Sequence, residues 1–533
     1  MKKVLIISLS ALAALLITGA VIFFVLFAGK SEHYSAIPDS SVYLVKVNTG
    51  NLLKKSEILQ QPVVETATDM VVKSMPRDAR ELMREIFEDP SASGIDIDKP
   101  AVLAFENFNS VKGVFVMAVK DRARVEEVVE LFADEVPEVK LDNRGDITYV
   151  EFGSNRRSNP VSVAFDTDMF VVAFDQRNAD AEEYFNLDDD EQAVNNKLFS
   201  KFFAKNDDAA MFLNFGELTN SSVLRLNRSE KQMLSMLEGS TLFMNLNFEN
   251  GYAEMSASID ASDDYRKLLE DAWIDVDHKH FEYIPYNAIG VACFGVNVGN
   301  VLEMDGMDEV VKELGEIGFT RSMIESVVGE FTFAMLPVEK LGRDDVPQFM
   351  FVGDCEERAV FDKVVRMMKS EDIIKRVDDD VYALGLNKYR DYNWDDYSYI
   401  ERTGGYDYYL MYNDGKVFVL PENVYEELVD DGELVSMDKS LADNKLFTSF
   451  KGMGMFVDMS AVIDAVEASA GRIGNDERML LGFIEVFESA EVVAEEPFEI
   501  KARVSLTDKD ENFLKVMVDE IFSVFSKEIM RNL

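Results

Sequence analysis

The sequence is poor in cysteine, histidine and positive charge, and each shortage narrows what the protein can be. Its 533 residues include two cysteines, Cys293 and Cys355. A disulfide-stapled scaffold is therefore excluded, as is a zinc site built on cysteine pairs. Both cysteines lie in or beside apolar strand-like runs, and two readings stay open: one disulfide, or two buried thiols. Three histidines occur, His33, His278 and His280. A histidine-based triad or metallohydrolase would have to draw on "DVDHKH" at 275–280. Basic residues number 54 against 99 acidic ones, a formal net charge of −45. A surface that acidic repels phosphate backbones and anionic headgroups. Nucleic acid is excluded as a partner, and cationic ligands, divalent metals or basic proteins are the better matches. Standard catalytic motifs are missing as well: no phosphate-binding loop, no G-x-S-x-G elbow, no H-E-x-x-H pair and no EF-hand loop.

What the chain does have is apolar content, 47% of all residues, enough for two or three domains with substantial cores. The longest apolar run extends from Val4 to Ala28, behind Lys2 and Lys3. As a helix it would be about 37 Å long, against a hydrocarbon core of about 30 Å. Residues 1–34 are therefore expected to form a signal anchor, a transmembrane helix followed by a juxtamembrane linker. The two lysines place the N-terminus in the cytoplasm and the bulk of the chain in the periplasm or outside. Cleavage after Ala20 is the alternative, and it would leave "VIFFVLFA" at the new N-terminus.

The rest of the chain is written twice. "IPDSSVYLVKVNTGNLL" at 37–53 returns as "IPYNAIGVACFGVNVGNVL" at 284–302, an offset of 247 residues. "NNKLFSKFF" at 195–203 returns as "DNKLFTSFK" at 443–451. "AFDTDMFVV" (164–172) aligns with "MYNDGKVFV" (411–419), and "ASDDYRKLLEDA" (261–272) with "DKDENFLKVMVD" (508–519). Four markers in one order at about 247 residues indicate a tandem duplication, and a period this long is not a solenoid. The expected organisation is a first α+β repeat at 35–275, a linker at 276–281 and a second repeat at 282–533.

Within a repeat the pattern mixes helix and strand. Val125, Val128, Val129 and Phe132 form the stripe of a one-sided helix. Leu242, Met244, Leu246 and Phe248 alternate with polar residues, as do Ala253, Met255, Ala257 and Ile259 after Asn250-Gly251. Asn-Gly between alternating strands predicts a hairpin with a type I′ turn, which needs two residues tolerant of positive φ. The fold class expected is thus α+β: the transmembrane helix, then two tandem homologous domains, each an antiparallel sheet with helices packed on one face.

"IPDSSVYLVKVNTGNLLKKS" (37–56), followed by "SGIDIDKPAVLAFEN" (93–107), resembles a large uncharacterised family of Bacteroidota cell-envelope proteins, many of them lipoproteins of about this length. The resemblance implies an envelope location and two related α+β halves. It carries no catalytic or binding residues. This chain lacks the lipid-accepting cysteine near its start, which favours the membrane helix over a lipid anchor.

One segment stands out for partner contact. "NKYRDYNWDDYSYIERTGGYDYY" at 387–409 is about 13 residues longer than its counterpart around "GSNRRSNP" at 153–160. Tyr and Trp offer large contact area at low entropy cost, and interleaved Asp suits sugar hydroxyls or a basic peptide. The candidate binding residues are Tyr389, Tyr392, Trp394, Asp395, Asp396, Tyr397 and Tyr399. The bland reading is a twisted hairpin whose tyrosines pack on its own sheet. His278 and His280 are weak metal candidates, facing one way in an extended chain but short of further ligands. The acidic runs at Asp188–Glu191 and Asp378–Asp380 read as solvated loops. No cofactor and no catalytic residue is indicated. The function expected is a membrane-anchored envelope protein with a non-enzymatic binding or assembly role, its partner an envelope protein or glycan. The alternatives are an envelope hydrolase with a glycosidase-like carboxylate pair, and a periplasmic folding or assembly factor holding clients on apolar sheet faces.

Overall fold

The computed structural model describes residues 31–532, apart from 76, 78, 108, 110, 136–138, 153–159, 217–234, 236, 303–306, 338–347, 386–387, 394–397, 404–406, 433, 438–443, 445–446 and 470–480. Contacts divide the chain into two compact units, Met1–Ser262 with Asp508–Leu533, and Asp263–Thr507.

Among its described residues the first unit holds ten strands: β1 (Tyr43–Val47), β2 (Ala101–Asn107), β3 (Lys112–Ala118), β4 (Val139–Arg144), β5 (Ile147–Phe152), β6 (Val161–Phe165), β7 (Met169–Phe174), β8 (Ala209–Asn214), β9 (Thr241–Glu249) and β10 (Tyr252–Asp260). Their lateral order is β4-β5-β6-β7-β3-β2-β1-β8-β9-β10, antiparallel throughout. The second unit contributes β11 (Gly290–Asn297), β12 (Val328–Leu336), β13 (Gln348–Asp354), β14 (Ile374–Asp378), β15 (Val381–Leu384), β16 (Lys388–Asn393), β17 (Ser398–Thr403), β18 (Tyr408–Asn413), β19 (Lys416–Pro421), β20 (Met453–Asp458), β21 (Phe487–Glu496) and β22 (Glu499–Leu506). Its order is β14-β15-β18-β19-β13-β12-β11-β20-β21-β22, again antiparallel. Strand for strand this is the order of the first unit. The extra pair β16–β17 forms a two-stranded sheet of its own, between β15 and β18.

Helices of eight or more residues are α1 (Thr49–Ser56), α2 (Pro62–Ser74), α3 (Ala79–Glu88), α4 (Arg122–Glu135), α5 (Asp263–Ala272), α6 (Asp308–Glu316), α7 (Arg358–Ser370), α8 (Met459–Ser469) and α9 (Phe513–Asn532). In sequence α5 ends the first repeat, yet it groups with the second unit and packs on β11. Likewise α9 ends the second repeat but groups with the first unit, against α1, β9 and β10.

The expected architecture is corrected in three respects. Among the described residues twenty strands form one antiparallel sheet, not a separate sheet for each of two tandem domains. Alternation tells which side of a strand is apolar, but not how many strands share a ladder. Covering segments lie on both faces rather than one, because both faces are apolar (below). Finally, no helix among the described residues is long and apolar enough to cross a membrane. The run at 4–28 on which the anchor rested lies outside the described residues. The single-pass location, with a cytoplasmic N-terminus and the bulk of the chain in the periplasm or outside, is therefore withdrawn.

The repeated phrases have local physical causes. Asn48 and Asn297 cap the turns after β1 and β11, their Oδ1 atoms accepting from the N–H groups of Asn51 and Asn300 at 3.2 Å. The glycine between them is a close approach: a Cβ on Gly50 would lie 2.4 Å from the Ile97 carbonyl oxygen. Ile37 and Ile284 are fully buried, and the prolines after them bridge to Gln192 and Ser436. In Asn-Lys-Leu-Phe the asparagine again caps, accepting from Leu198 N–H or Phe447 N–H at 3.0 Å. Phe199 and Phe447 then fill the core. The β9–β10 hairpin forms as expected, but Gly251 alone takes a positive φ. The turn with positive φ at both residues is Asp414-Gly415, between β18 and β19.

In the first unit one face packs Leu44, Val102, Val114, Val171 and Phe212 beneath Tyr34, Ile37, Tyr184, Phe199 and Phe202. The opposite face packs Phe115, Met117, Val150 and Phe165 beneath Val125 and Val129 of α4. On β9 the buried positions are Phe243 and Asn245, the set opposite to the Leu242–Phe248 stripe. Asn245 is accommodated because its amide donates to Asp207 Oδ1 at 2.8 Å. The second unit covers its first face similarly, with Ile284, Phe447 and Phe450 over Val291, Met350, Val352 and Phe418.

Truncating a fully buried Phe removes transfer energy and leaves a cavity, at about 3–5 kcal/mol. Phe199→Ala and Phe447→Ala should each cost about that much in denaturant unfolding of the full chain. Leu198→Ala, on the exposed side of the same turn, should shift the midpoint by much less.

Candidate functional site

Four residues before each repeated Ile-Pro stands a histidine: His33-Tyr34 before Ile37-Pro38, and His280-Phe281 before Ile284-Pro285. Each lies in a short 3-10 turn, Ser31–Ala36 or Lys279–Tyr283, and each ring is buried. His33 Nε2 sits 2.9 Å from the Pro100 carbonyl oxygen. His280 is the centre of a larger polar cluster. Its Nε2 is 3.1 Å from Asp354 Oδ1, its Nδ1 3.3 Å from Thr332 Oγ1, and Glu330 Oε1 lies 3.7 Å from Nδ1. Glu330 accepts from the N–H groups of Asp277 and His278, and from the Cys293 thiol at 3.4 Å. Asp354 accepts from Lys416 Nζ at 3.1 Å and, at 2.8 Å, from the N–H of Glu330.

This cluster ties the 275–283 segment to β11, β12, β13 and β19. Burial pushes the Cys293 thiol far above its ordinary range, and the Glu330 carboxylate adds to the effect. The group is thus a donor rather than a thiolate nucleophile. Burial also opposes ionisation of Asp354. The His280 ring, the Glu330 N–H and the Lys416 ammonium outweigh it and hold the carboxyl well below the usual range. In the first unit the position of Cys293 is taken by Lys46. That side chain is fully buried, its Nζ donating to the carbonyls of Phe202 and Lys205 at 2.6 Å each. Burial pushes its ammonium down to about 8.

His278 and His280 do not converge. His278 adopts a positive φ of 62° and turns its ring to the Phe450 carbonyl, 2.9 Å away, against the Phe450 ring. Among the described residues no group of three or more His, Cys, Asp or Glu side chains is arranged to hold a metal ion. Cys293 and Cys355 are both free thiols. In the acidic runs, Glu191 accepts from the Asp188 N–H, while Arg358 pairs with Asp380 and Arg376 with Asp379. Tyr389 and Tyr392 lie on β16 and Tyr399 on β17, with Tyr392 opposite Tyr399. Trp394, Asp395, Asp396 and Tyr397 lie outside the described residues.

The feature that sequence reasoning missed is the second face of the second unit. Phe294 on β11, Phe331 and Phe333 on β12, and Phe351 on β13 lie side by side, with ring centroids 4.7 Å apart for Phe333–Phe351 and 5.8 Å for Phe294–Phe331. Phe349 stacks on Tyr408 at 4.9 Å. Met335, Met453 and Met455 extend the surface by cross-strand pairing with Gly290, Phe294 and Ala292. Phe333 is 47% exposed, Met335 50%, Phe349 41% and Met455 45%. Phe331, on the same face, is buried at 9%. In the first unit Leu103 pairs with Phe115 as Phe333 pairs with Phe351; Phe115 is buried and Leu103 partly buried.

Among the described residues the two units differ in their helical cover. In the first unit α4 covers Phe115 and Leu103, and is backed by Val72, Leu82, Met83 and Ile86 of α2 and α3. Those two helices come from the 53-residue connection 48–100 between β1 and β2. Between β11 and β12 the connection 298–327 has 30 residues. Here α7 covers Ile374, Tyr382, Leu384 and Leu410, and its apolar cluster stops at Val417 and Val419 of β19. The signal was present in the sequence as the difference in length between these two connections.

The Asp354 network predicts a pH dependence. A carboxyl held low in the fold contributes stability above the ordinary carboxylate pKa of about 4 and loses it as pH falls further. Asp354→Asn should therefore cost about 1.5–3 kcal/mol at pH 7. The wild-type advantage should shrink as pH drops below about 4, read by denaturant titration at each pH.

The model of a domain of unknown function, DUF4836, matches residues 34–514. No curated protein matches the chain. Two solved structures, of crystal forms III and I of TP0453, are similar at 12% identity. They cover 46% and 44% of this chain, and 90% and 80% of their own, with TM-scores of 0.27 and 0.25. By the family match over most of its length, the chain belongs to the DUF4836 family, whose function is unknown.

Proposed function

We propose that this chain is a non-enzymatic binding or assembly protein that holds a partner on the open apolar face of β11, β12, β13 and β20. The observation that carries the reading is the exposure of Phe333, Met335, Phe349 and Met455 as one contiguous surface on central strands. Scattered exposed apolar residues are ordinary, but a continuous aromatic and methionine patch marks an interaction surface. Methionine and phenylalanine together suit it to partners of varied shape. The Tyr/Asp hairpin is the second contact in this proposal. It is supported by β16–β17 forming a sheet of their own, in a place where the first unit has a shorter connection. The resemblance of 37–56 and 93–107 to envelope proteins supports an envelope setting for this role.

The face is tested with a polarity-sensitive dye and with light scattering from reduced insulin chains. The wild-type protein should enhance the dye and slow the scattering. The double substitution Phe333→Ser and Met335→Ser should remove most of both effects with little change in thermal unfolding, since both side chains are already about half exposed. Dye and scattering signals equal to wild type would sink the proposal. Replacing Tyr392, Trp394 and Tyr397 with Ala should weaken the retention of insulin chains and leave the unfolding temperature unchanged. Unaltered retention would reduce the hairpin to a structural element.

A further inference from the structure

We infer that the open face of β11–β13 receives an amphipathic helix from a second protein, a helix whose polar side is basic. This rests on the binding role proposed above and names the chemistry of the partner.

The first unit shows what such a face is built to hold. Its strands run in the same order, and the matching Ala101, Leu103 and Phe115 pack with Val125 and Val129 of α4, a helix buttressed by α2 and α3. Among the described residues the second unit supplies α7 over the outer strands only, and no helix of its short 298–327 connection joins that cluster. A helix added from outside would restore the layer. The aromatic surface crosses three strands, about 10 Å at the usual strand spacing, which is the width of one helix. An amphipathic helix presents a stripe of that width.

A strand is the wrong shape for this site. Strand addition needs a free sheet edge, and β11, β12 and β13 are each paired on both sides. The charge pattern selects among helices. The connection that leaves the Phe294–Phe331 end of the face carries seven acidic residues and two basic ones over 298–327, in a chain of net charge −45. A basic helix is drawn to that field, and an acidic helix or an anionic membrane is repelled by it.

The test uses the full chain and fluorescein-labelled peptides of about 18 residues, five helical turns. One peptide places Leu and Lys at helical spacing. A second replaces Lys with Glu, and a third alternates Leu and Lys as in a strand. Vesicles containing phosphatidylglycerol form a fourth arm. The helical Leu/Lys peptide should bind, gain helical circular dichroism, and bind the Phe333→Ser, Met335→Ser protein about tenfold more weakly. A Phe349→Ser protein should show the same weakening, which guards against misfolding of one variant. The other two peptides should bind wild type about tenfold more weakly than the first. Equal binding of all three peptides, tighter capture of the vesicles, or variants that bind the first peptide like wild type would each overturn the inference. Failure of the peptide alongside dye binding that the same variants abolish would remove the helix and leave the binding face standing. Dye binding indifferent to those variants would remove both.

Discussion

A sheet that is apolar on both faces must be covered twice, and the architecture of this chain follows from that constraint. Successive side chains point to opposite faces. On β3 the inward sets Val114 and Val116, and Phe115 and Met117, are all buried, one pair under each layer. The first unit meets the requirement with loop-borne aromatics on one side and a double helical layer on the other. The second unit meets it on one side and only at the outer strands on the other. Full burial of a Phe side chain is worth roughly 1.5–3 kcal/mol. A face left open with several such groups therefore keeps stabilisation in reserve, which a partner can claim on binding.

The two units also solve one buried polar problem with different chemistry. The centre of the first unit holds Lys46, whose ammonium is satisfied by two backbone carbonyls, while the second holds Cys293, which donates to Glu330. The histidine before Ile-Pro meets a carbonyl in one unit and a carboxylate, a hydroxyl and a lysine network in the other. Each solution leaves the backbone plan intact because buried polar groups are tolerated when hydrogen-bonded, whatever the partner. The chain's three histidines are all engaged in contacts of this kind.

Much of this was legible in the sequence, in proportion to how local the cause is. The helix at 122–135 and the β9–β10 hairpin depend on neighbours within a few residues, and periodicity or turn chemistry exposes them. The pairing of twenty strands into one sheet depends on long-range partners that alternation does not name. Asn245 was assigned to the polar side of β9, and the structure buries it because Asp207 supplies its partner from 38 residues away. His33 carries no local signal in the sequence; its place is visible only by comparison with His280, which stands at the same distance before Ile-Pro in the second copy. The open face was hidden because "FTFAML" at 331–336 reads as a strand buried on both sides. Whether a cover exists depends on the length of a connection elsewhere in the chain. The long N-terminal apolar run lies outside the described residues, and hydropathy alone carried the anchor.

On one face the second unit exposes Phe333, Met335 and Met455, where the first unit buries Phe115 and Met117 beside α4. Hydroxyl-radical footprinting of the full-length chain, read residue by residue by mass spectrometry, tests this contrast most directly. Phe333, Met335 and Met455 should oxidise rapidly, and Phe115 and Met117, under α4, should be protected. Equal protection of the two sets would contradict the account.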